Sequence, residues 1–490
     1  MLSLLALVSL QSALAADLGY DQALEAALRN NPSLQIAGTT VERADGALLV
    51  ASAVFDTTLT GSASSSSTVT QSPQLQNVNI DDRSSSFSTS VAHFFPTGTT
   101  GTVSWLNSQS TTMYTADSAE ALDQLREFGL INEDIRYQSS LVASLRQSLL
   151  DGFRMSANLQ GVRTATRARD QAEAARLQVR QEVLSATARA YWELWYQRRR
   201  VAITEQSLEV AQEEQRIVRL KVEQGTLAPV EQTRVDATVI QAESALLTAQ
   251  AGARTASDAL QVLIGQTPGG DDVNLTTNPV EPRDLSIEAS AVVESALANN
   301  PELQSLRLAS SNSELDMIDA RHRRLPDLDV NGTFGLIGLD QAPGSDTDTG
   351  LGSAAGNMMS GDARTWSVGA DLSMPLGNRA DRGAIDQAKA DLRRARLDLE
   401  ARERTLSQEV RTQVDALGTA WKQVELAQAN RRFAEATLSA ERALADAGRS
   451  VQKNVLEAIK NVDDARLNVE KAKADYLVAI IELERLKGSL

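Results

Sequence analysis

The chain has 490 residues, too many for one ordinary domain, a net charge of -16 and no cysteine. The acidic balance excludes nucleic acid or an anionic membrane surface as the main partner, because both require an excess of Lys and Arg. The missing cysteines exclude disulfides, thiol chemistry and Cys-ligated metal, and the two histidines, His93 and His322, lie far apart and read as surface residues, leaving no histidine-rich zinc or triad site.

In chain order, the first element is LSLLALVSLQSALA, an apolar stretch ending in Ala13-Leu14-Ala15. The small-x-small ending and a length too short to span a bilayer predict a secretory signal peptide over residues 1–15. No Lys or Arg precedes the apolar run, which leaves the true start open. No Cys follows it, so a lipid-anchored mature N-terminus is not expected. No later stretch reaches the roughly 18 apolar residues of a spanning helix, so entry into a membrane requires a closed β-barrel.

ALRNNPSLQ (Ala27–Gln35) returns 269 residues later as ALANNPELQ (Ala296–Gln304), with seven of nine residues the same. A short helical segment precedes each copy, from Tyr20 and from Ser286. Asn tolerates the left-handed conformation that ends a helix, and Pro disfavours α for the residue before it while being able to start the next helix. The phrase predicts a helix-break-helix corner with a structural role.

β-like sequence follows each corner. In the first half, Phe55–Ser64 and Leu141–Leu145 are strand candidates, and FFPTGTTGTVSW (Phe94–Trp105) reads as a hairpin adding two more. The Ser-rich stretch Ser62–Arg83 and the polar stretch Asn107–Tyr137 read as loops. In the second half, Leu328, Val330, Phe334 and Leu336 alternate with polar or small residues, as do Trp366, Val368, Ala370, Leu372 and Met374. Period two means one apolar and one polar face. Between them, Asp340–Asp362 reads as a long polar loop.

Each half then turns helical. Val162–Gln224 holds no Gly or Pro, enough for a helix of about 95 Å. Gly225 breaks it and Pro229 restarts it to about Ile264; the second half runs from about Ala384, breaks at Gly448 and resumes to about Lys487. After the first break Val235, Val239, Ala242, Leu246, Ala249, Ala253, Ala256, Leu260 and Leu263 recur at 4-3 spacing. After the second, Ala458, Val462, Ala465, Val469, Ala472, Tyr476, Ala479, Leu483 and Leu486 do the same, offset by 223. Such periodicity makes a coiled-coil seam, and each half reads as an antiparallel helical hairpin with glycine at its tip. The chain divides into a signal (1–15), a first repeat (17–265), a linker (266–285) and a second repeat (286–488).

The order helix, strands, helical hairpin, repeated twice, resembles the TolC-like outer-membrane efflux protein family over about Asp17 to Leu490. The residues that carry the likeness are the paired NNP corners, ASLRQSLLDGF (Ala143–Phe153), ARHRRLPDLDVNGTFG (Ala320–Gly335), MPLGNRADRGAIDQAKADL (Met374–Leu392) and the two tips. The resemblance implies a mixed α and β membrane protein built by internal duplication: a homotrimer whose strands close one outer-membrane β-barrel, continued by a periplasmic α-helical barrel of coiled-coil hairpins. Asp340–Asp362 would face outside the cell. The implied function is an exit duct in a tripartite efflux system. It passively conducts solute delivered by an inner-membrane transporter of RND or ABC type through a periplasmic adaptor, with outer-membrane lipid around it and no cofactor, metal or nucleic acid. Aligned from the glycines, Glu231 falls on the family's first-half acidic gate position, and Asn454 and Glu457 on the two second-half ones. Ser450 replaces a gating arginine, with Arg449 adjacent. The implied adaptor contacts are Gly225, Thr226, Leu227, Ala228 and Gly448. Ser148 stands where many members have proline, and the added hairpin either raises the strand count above the family's usual four per subunit or sits outside the barrel.

Phe94, Phe95, Trp105, Phe334 and Trp366 are candidates for an interfacial aromatic girdle, and Trp192 and Trp195 read as packing residues on the long helix. A type I protein secretion duct and a non-pore periplasmic coiled-coil scaffold are the rival readings. An enzyme is not expected, because no convergent acid–base or nucleophile constellation is present.

Overall fold

A computed structural model describes residues 18–72, 78–116, 118–129, 134–150, 153, 155–269, 273–343 and 350–490. The signal-peptide segment 1–15 lies outside them. The elements are α1 Tyr20–Asn30, α2 Pro32–Ser52, β1 Thr58–Gln71, β2 Val78–Phe94, β3 Thr99–Ala116, α3 Ala119–Glu127, β4 Asp134–Ser148, α4 Met155–Asn158, α5 Gln160–Glu223, α6 Pro229–Leu263, α7 Ala289–Asn299, α8 Pro301–His322, β5 Asp327–Pro343, α9 Leu351–Ser360, β6 Arg364–Ser373, α10 Arg379–Asp446 and α11 Gln452–Lys487. The chain forms two compact units, one of residues 1–43, 170–310 and 394–490, the other of 44–169 and 311–393.

The second unit is a six-stranded antiparallel sheet in the order β1-β2-β3-β4-β5-β6. One row of partners crosses it as Leu59, Val91, Val103, Ala143, Phe334 and Trp366. The neighbouring row on the other face runs Thr60, Ser90, Ser104, Val142, Gly335 and Thr365. Strand alternation thus sorts apolar residues to one face and hydroxyls to the other. The apolar row stays uncovered: Leu59 and Trp366 are each 73% exposed, Val103 48% and Phe334 50%. Every residue of the edge strands β1 and β6 is exposed.

Three expected loops are corrected here. Ser62–Arg83 holds most of β1 and the start of β2, paired through hydroxyls such as Ser64 and Ser86 at 2.8 Å. Serine-rich sequence forms strand because its hydroxyls find partners across the strand pair, Ser62, Ser64, Ser65 and Ser66 on serines and Ser67 on the Asp81 carboxylate. Asn107–Tyr137 continues β3 to Ala116, then carries α3 and the start of β4. Asp340–Asp362 is helical over Leu351–Ser360, with 344–349 outside the described residues. Ala354 and Met358 of α9 are buried against the sheet, where Gly338 leaves room for the helix backbone and Ser139 donates to the Met358 sulfur at 3.6 Å.

In the first unit the predicted seams are in place. Every one of the nine seam residues of α6 and the nine of α11 is buried or half-buried. One apolar core gathers Ala23 and Ala27 of α1, Tyr191, Trp192 and Trp195 of α5, and Leu260 of α6. A second gathers Val292 and Ala296 of α7, Leu303, Leu406 and Val410, and Tyr476 and Leu483 of α11. Trp192 and Trp195 are packing residues, as their helical position predicts. The segment around Asn274 is held too: the Leu18 N–H donates to the Asn274 carbonyl at 2.6 Å, and Val273 joins the first core.

The NNP corners dock onto the hairpin ends. The Asn31 side-chain amide donates to the Leu263 carbonyl at 2.8 Å, and that of Asn300 to the Leu486 carbonyl at 3.2 Å. Their side-chain oxygens accept from the Ser33 and Glu302 backbone N–H groups, opening α2 and α8. Both asparagines are extended, with φ of -65° and -63°, not left-handed as the sequence suggested. The left-handed residues are Gly265 and Gly488, at 77° and 76°, each pressed against the backbone of the preceding corner.

Candidate functional site

The two hairpin tips share one hydrogen-bond pattern. Gly225 and Gly448 take φ of 74° and 71°, a conformation that costs glycine nothing. The next N–H, of Thr226 and of Arg449, reaches back to the Lys221 and Leu444 carbonyls at 2.9 and 2.8 Å. This closes the helix end and satisfies a carbonyl left without an intrahelical partner. Thr226 adds its own hydroxyl to the Lys221 carbonyl at 2.8 Å, Leu227 donates to the same oxygen at 3.2 Å, and Ala228 caps α6 ahead of Pro229. Gly225, Thr226, Leu227, Ala228 and Gly448 are thereby rigid turn residues with no packed neighbour demanded at either glycine.

The expected gate residues fall into two local groups. Glu231 lies in the first turn of α6 and pairs with Arg234 of the same helix at 2.8 Å; its second oxygen is buried without a hydrogen-bond partner. Asn454 donates to the Ser450 hydroxyl at 3.2 Å, and Ser450 donates to Glu441 of α10 at 2.6 Å. Ser450 thus ties the second tip to itself instead of reaching the first hairpin as an arginine could. Arg449 joins the turn through its backbone. Glu457 lines a cavity of about 680 Å³ between α5, α6 and α11, together with Arg234, Lys453, Lys460, Asp463 and Asp464.

Near the tips, a contact between the hairpins is made at Glu214. Its carboxylate, 14% exposed on α5, accepts from the Gln452 side chain at 2.9 Å and has Arg442 at 4.0 Å. Sequence reading missed Glu214 because it lies 11 residues before the tip glycine in an unbroken run of charged helix. Nearby, hydrogen bonds from Gln215 and Gln232, both 2.8 Å long, hold the Asp236 carboxyl below the usual carboxylate range. Burial pushes the Asp463 carboxyl up, with Ser207 and Arg466 opposing. At the foot of the sheet Ser148 donates to Asp329 at 2.7 Å, and Arg146 pairs with the same carboxylate. The Ser148 N–H also reaches the Gly98 carbonyl at 3.3 Å, and a proline there would supply neither donor.

Among the described residues no group of three or more Asp, Glu, His or Cys is placed to hold a metal ion, and no helix is long and apolar enough to cross a membrane.

The family model described as outer membrane efflux protein matches residues 107–266 and 292–489. The outer membrane efflux protein BepC of Brucella suis biovar 1 (strain 1330) is 26% identical over 366 residues, 73% of this chain and 74% of that one. In fold, the chain is similar to the Campylobacter jejuni CmeC outer membrane channel, with a TM-score of 0.67 and 18% identity over 96% of this chain and 85% of that one. The Vibrio cholerae outer membrane protein VceC gives 0.66 and 17%, over 96% of both chains.

Proposed function

The chain belongs to the outer membrane efflux protein family, and from that premise we propose that it is the exit duct of a tripartite efflux system. It is an outer membrane efflux channel reaching into the periplasm, and it is no enzyme. Three copies close one tube; an inner-membrane transporter of RND or ABC type and a periplasmic adaptor deliver solute; this protein conducts it passively. The observation that carries the reading is the sheet: apolar on one face, hydroxyl-lined on the other, and open at both edges. An open sheet leaves unsatisfied backbone groups in lipid, so further copies must close it. The subunit is a duplicated unit, with repeats at 17–265 and 286–488 joined by 266–285. The recurring offsets of 269 at the corners and 223 at Gly225/Gly448 and Gly265/Gly488 support this division.

Glu214 with Gln452 and Arg442 holds the hairpins together at the periplasmic end, and Glu231, Asn454 and Glu457, with Arg449 and Ser450, form the acidic constriction. Gly225–Ala228 and Gly448 present the rigid turns that meet the adaptor. The test is single-channel conductance in a planar bilayer. A cation-selective pore is expected, wider in Glu214→Ala and less cation-selective in the Glu231→Ala, Glu457→Ala double variant. Breaking the hydrogen bonds to a charged group removes roughly 1.5–3 kcal/mol, so the closed-to-open ratio falls at least about tenfold. No conductance from folded protein would overturn the duct. Conductance and selectivity unaltered by every variant would discard these gate residues.

A further inference from the structure

We infer that the β2–β3 hairpin is part of the wall of the outer-membrane barrel, so that three copies close it with eighteen strands, not the twelve that β1, β4, β5 and β6 alone would give. This rests on the trimeric reading above and specifies its barrel. β2 pairs with β1 over all fourteen residues from Thr58↔Ala92 to Gln71↔Asn79. β3 pairs with β4 from Thr99↔Gln147 to Thr111↔Ile135, and β2 with β3 from Val78↔Ala116 to Phe94↔Thr100. The hairpin therefore lies between β1 and β4 along its length and is no flap on the outside. The match to the family model begins at residue 107, inside β3.

The hairpin also obeys the two-faced pattern of the other strands. Phe87, Val91, Val103 and Trp105 share the uncovered apolar face, each at least 40% exposed. Ser86 and Ser88 stand on the opposite face, in hydroxyl contact with Ser64 and Ser62 at 2.8 and 2.7 Å. A hairpin outside the barrel would have no reason to put apolar residues on one face and hydroxyls on the other. Strand parity fits as well. Six antiparallel strands leave β6 running opposite to β1, so the exposed β6 of one copy can extend antiparallel pairing onto the exposed β1 of the next. Barrel width grows roughly with strand number, and eighteen strands enclose an aqueous channel. The hairpin lines that channel mainly with hydroxyls, and the charged side chain it adds to that face is Asp82, which accepts from the Thr112 hydroxyl at 2.7 Å.

The chain has no cysteine, which makes disulfide mapping clean. Three sets of double variants are oxidised in isolated outer membranes and read by non-reducing gels and peptide mass. Ser64→Cys with Ser86→Cys is expected to give an intrachain bridge. Ser367→Cys combined in turn with Thr60→Cys, Ser62→Cys and Ser64→Cys is expected to give chain-to-chain dimers and trimers from at least one pair. Thr60→Cys with Val142→Cys is expected to give none. A β1–β4 bridge without the β1–β2 bridge would place the hairpin outside the barrel and overturn the inference. The β1–β2 bridge without any chain-to-chain product would instead overturn the trimeric closure beneath it.

Discussion

Asp463 sits on α11 at the cavity it shares with Glu457, facing Ser207 of α5, with Arg466, Asp464 and Lys460 on its own helix and Arg234 of α6 across the opening. Burial raises its folded-state pKa above the ordinary value of 3.8, against the opposing effects of Ser207 and Arg466. An acid raised in this way binds its proton more tightly when folded. Its contribution to stability is greatest below the unfolded pKa and is lost as pH rises through the folded one. At neutral pH the charge is therefore a cost. Asp463→Asn is expected to melt above the wild type at pH 7.5, the gap closing as pH falls toward about 4. Thermal unfolding followed by circular dichroism across that range checks it, and a gap independent of pH would show that burial of the charge is not the cause. Neither Asp463 nor Glu214 is marked by any motif. Their importance comes from what the other hairpin brings to them, and that is absent from a one-dimensional reading.

The elements differ in how much of them the chain discloses. Helical hairpins were legible because 4-3 spacing is a long, redundant signal: misreading one residue leaves the seam in place. The strands were half legible. Phe334 and Trp366 announce alternation, whereas SASSSSTVT in β1 has no apolar residue between Ala63 and Val69 to reveal it. The corners were recognised as breaks, but the role of the second asparagine was not, since its partner carbonyl lies 232 residues away in the first half. That docking gives an ordered prediction. At Gly225 or Gly448 an added Cβ meets open space, so Ala costs only the left-handed backbone, about 1–2 kcal/mol. At Gly265 the Cβ would lie 2.5 Å from the Asn30 carbonyl oxygen, and at Gly488 2.6 Å from that of Asn299. Gly265→Ala and Gly488→Ala must push the corner off the hairpin end and lose the Asn31 or Asn300 hydrogen bond as well. Their melting temperatures should fall well below those of Gly225→Ala and Gly448→Ala. Equal losses at all four sites would mean that the corners do not brace the hairpins.

For the whole molecule, a single copy leaves its own surfaces unfinished. Within one chain α5 and α11 meet, through Glu214 with Gln452 and through Gln206 with Arg466. The other helices of the two hairpins, α6 and α10, carry apolar residues that nothing among the described residues covers. Ile240 and Leu247 on α6 are 65% and 68% exposed; Leu426 and Phe433 on α10 are 69% and 74% exposed. Each pair is seven residues apart, the spacing of a coiled-coil seam waiting for a partner. If copies close as the proposed trimer, α6 of one copy meets α10 of the next, by the same cyclic step that joins β6 to β1. Burying a phenylalanine is worth about 1.5–3 kcal/mol, repeated at each of the three interfaces. Phe433→Asp removes that gain and forces a charge into the seam. Because Phe433 is exposed in the single chain, the substitution leaves the fold of one copy untouched. The variant is expected to run as a monomer in detergent by light scattering while keeping the wild-type helical signal. Leu247→Asp, on the opposite side of the same contact, is expected to do likewise. A trimer that survives both substitutions would separate these stripes from the interface and assign them to another partner, leaving the open sheet edges as the remaining ground for closure by copies of this chain.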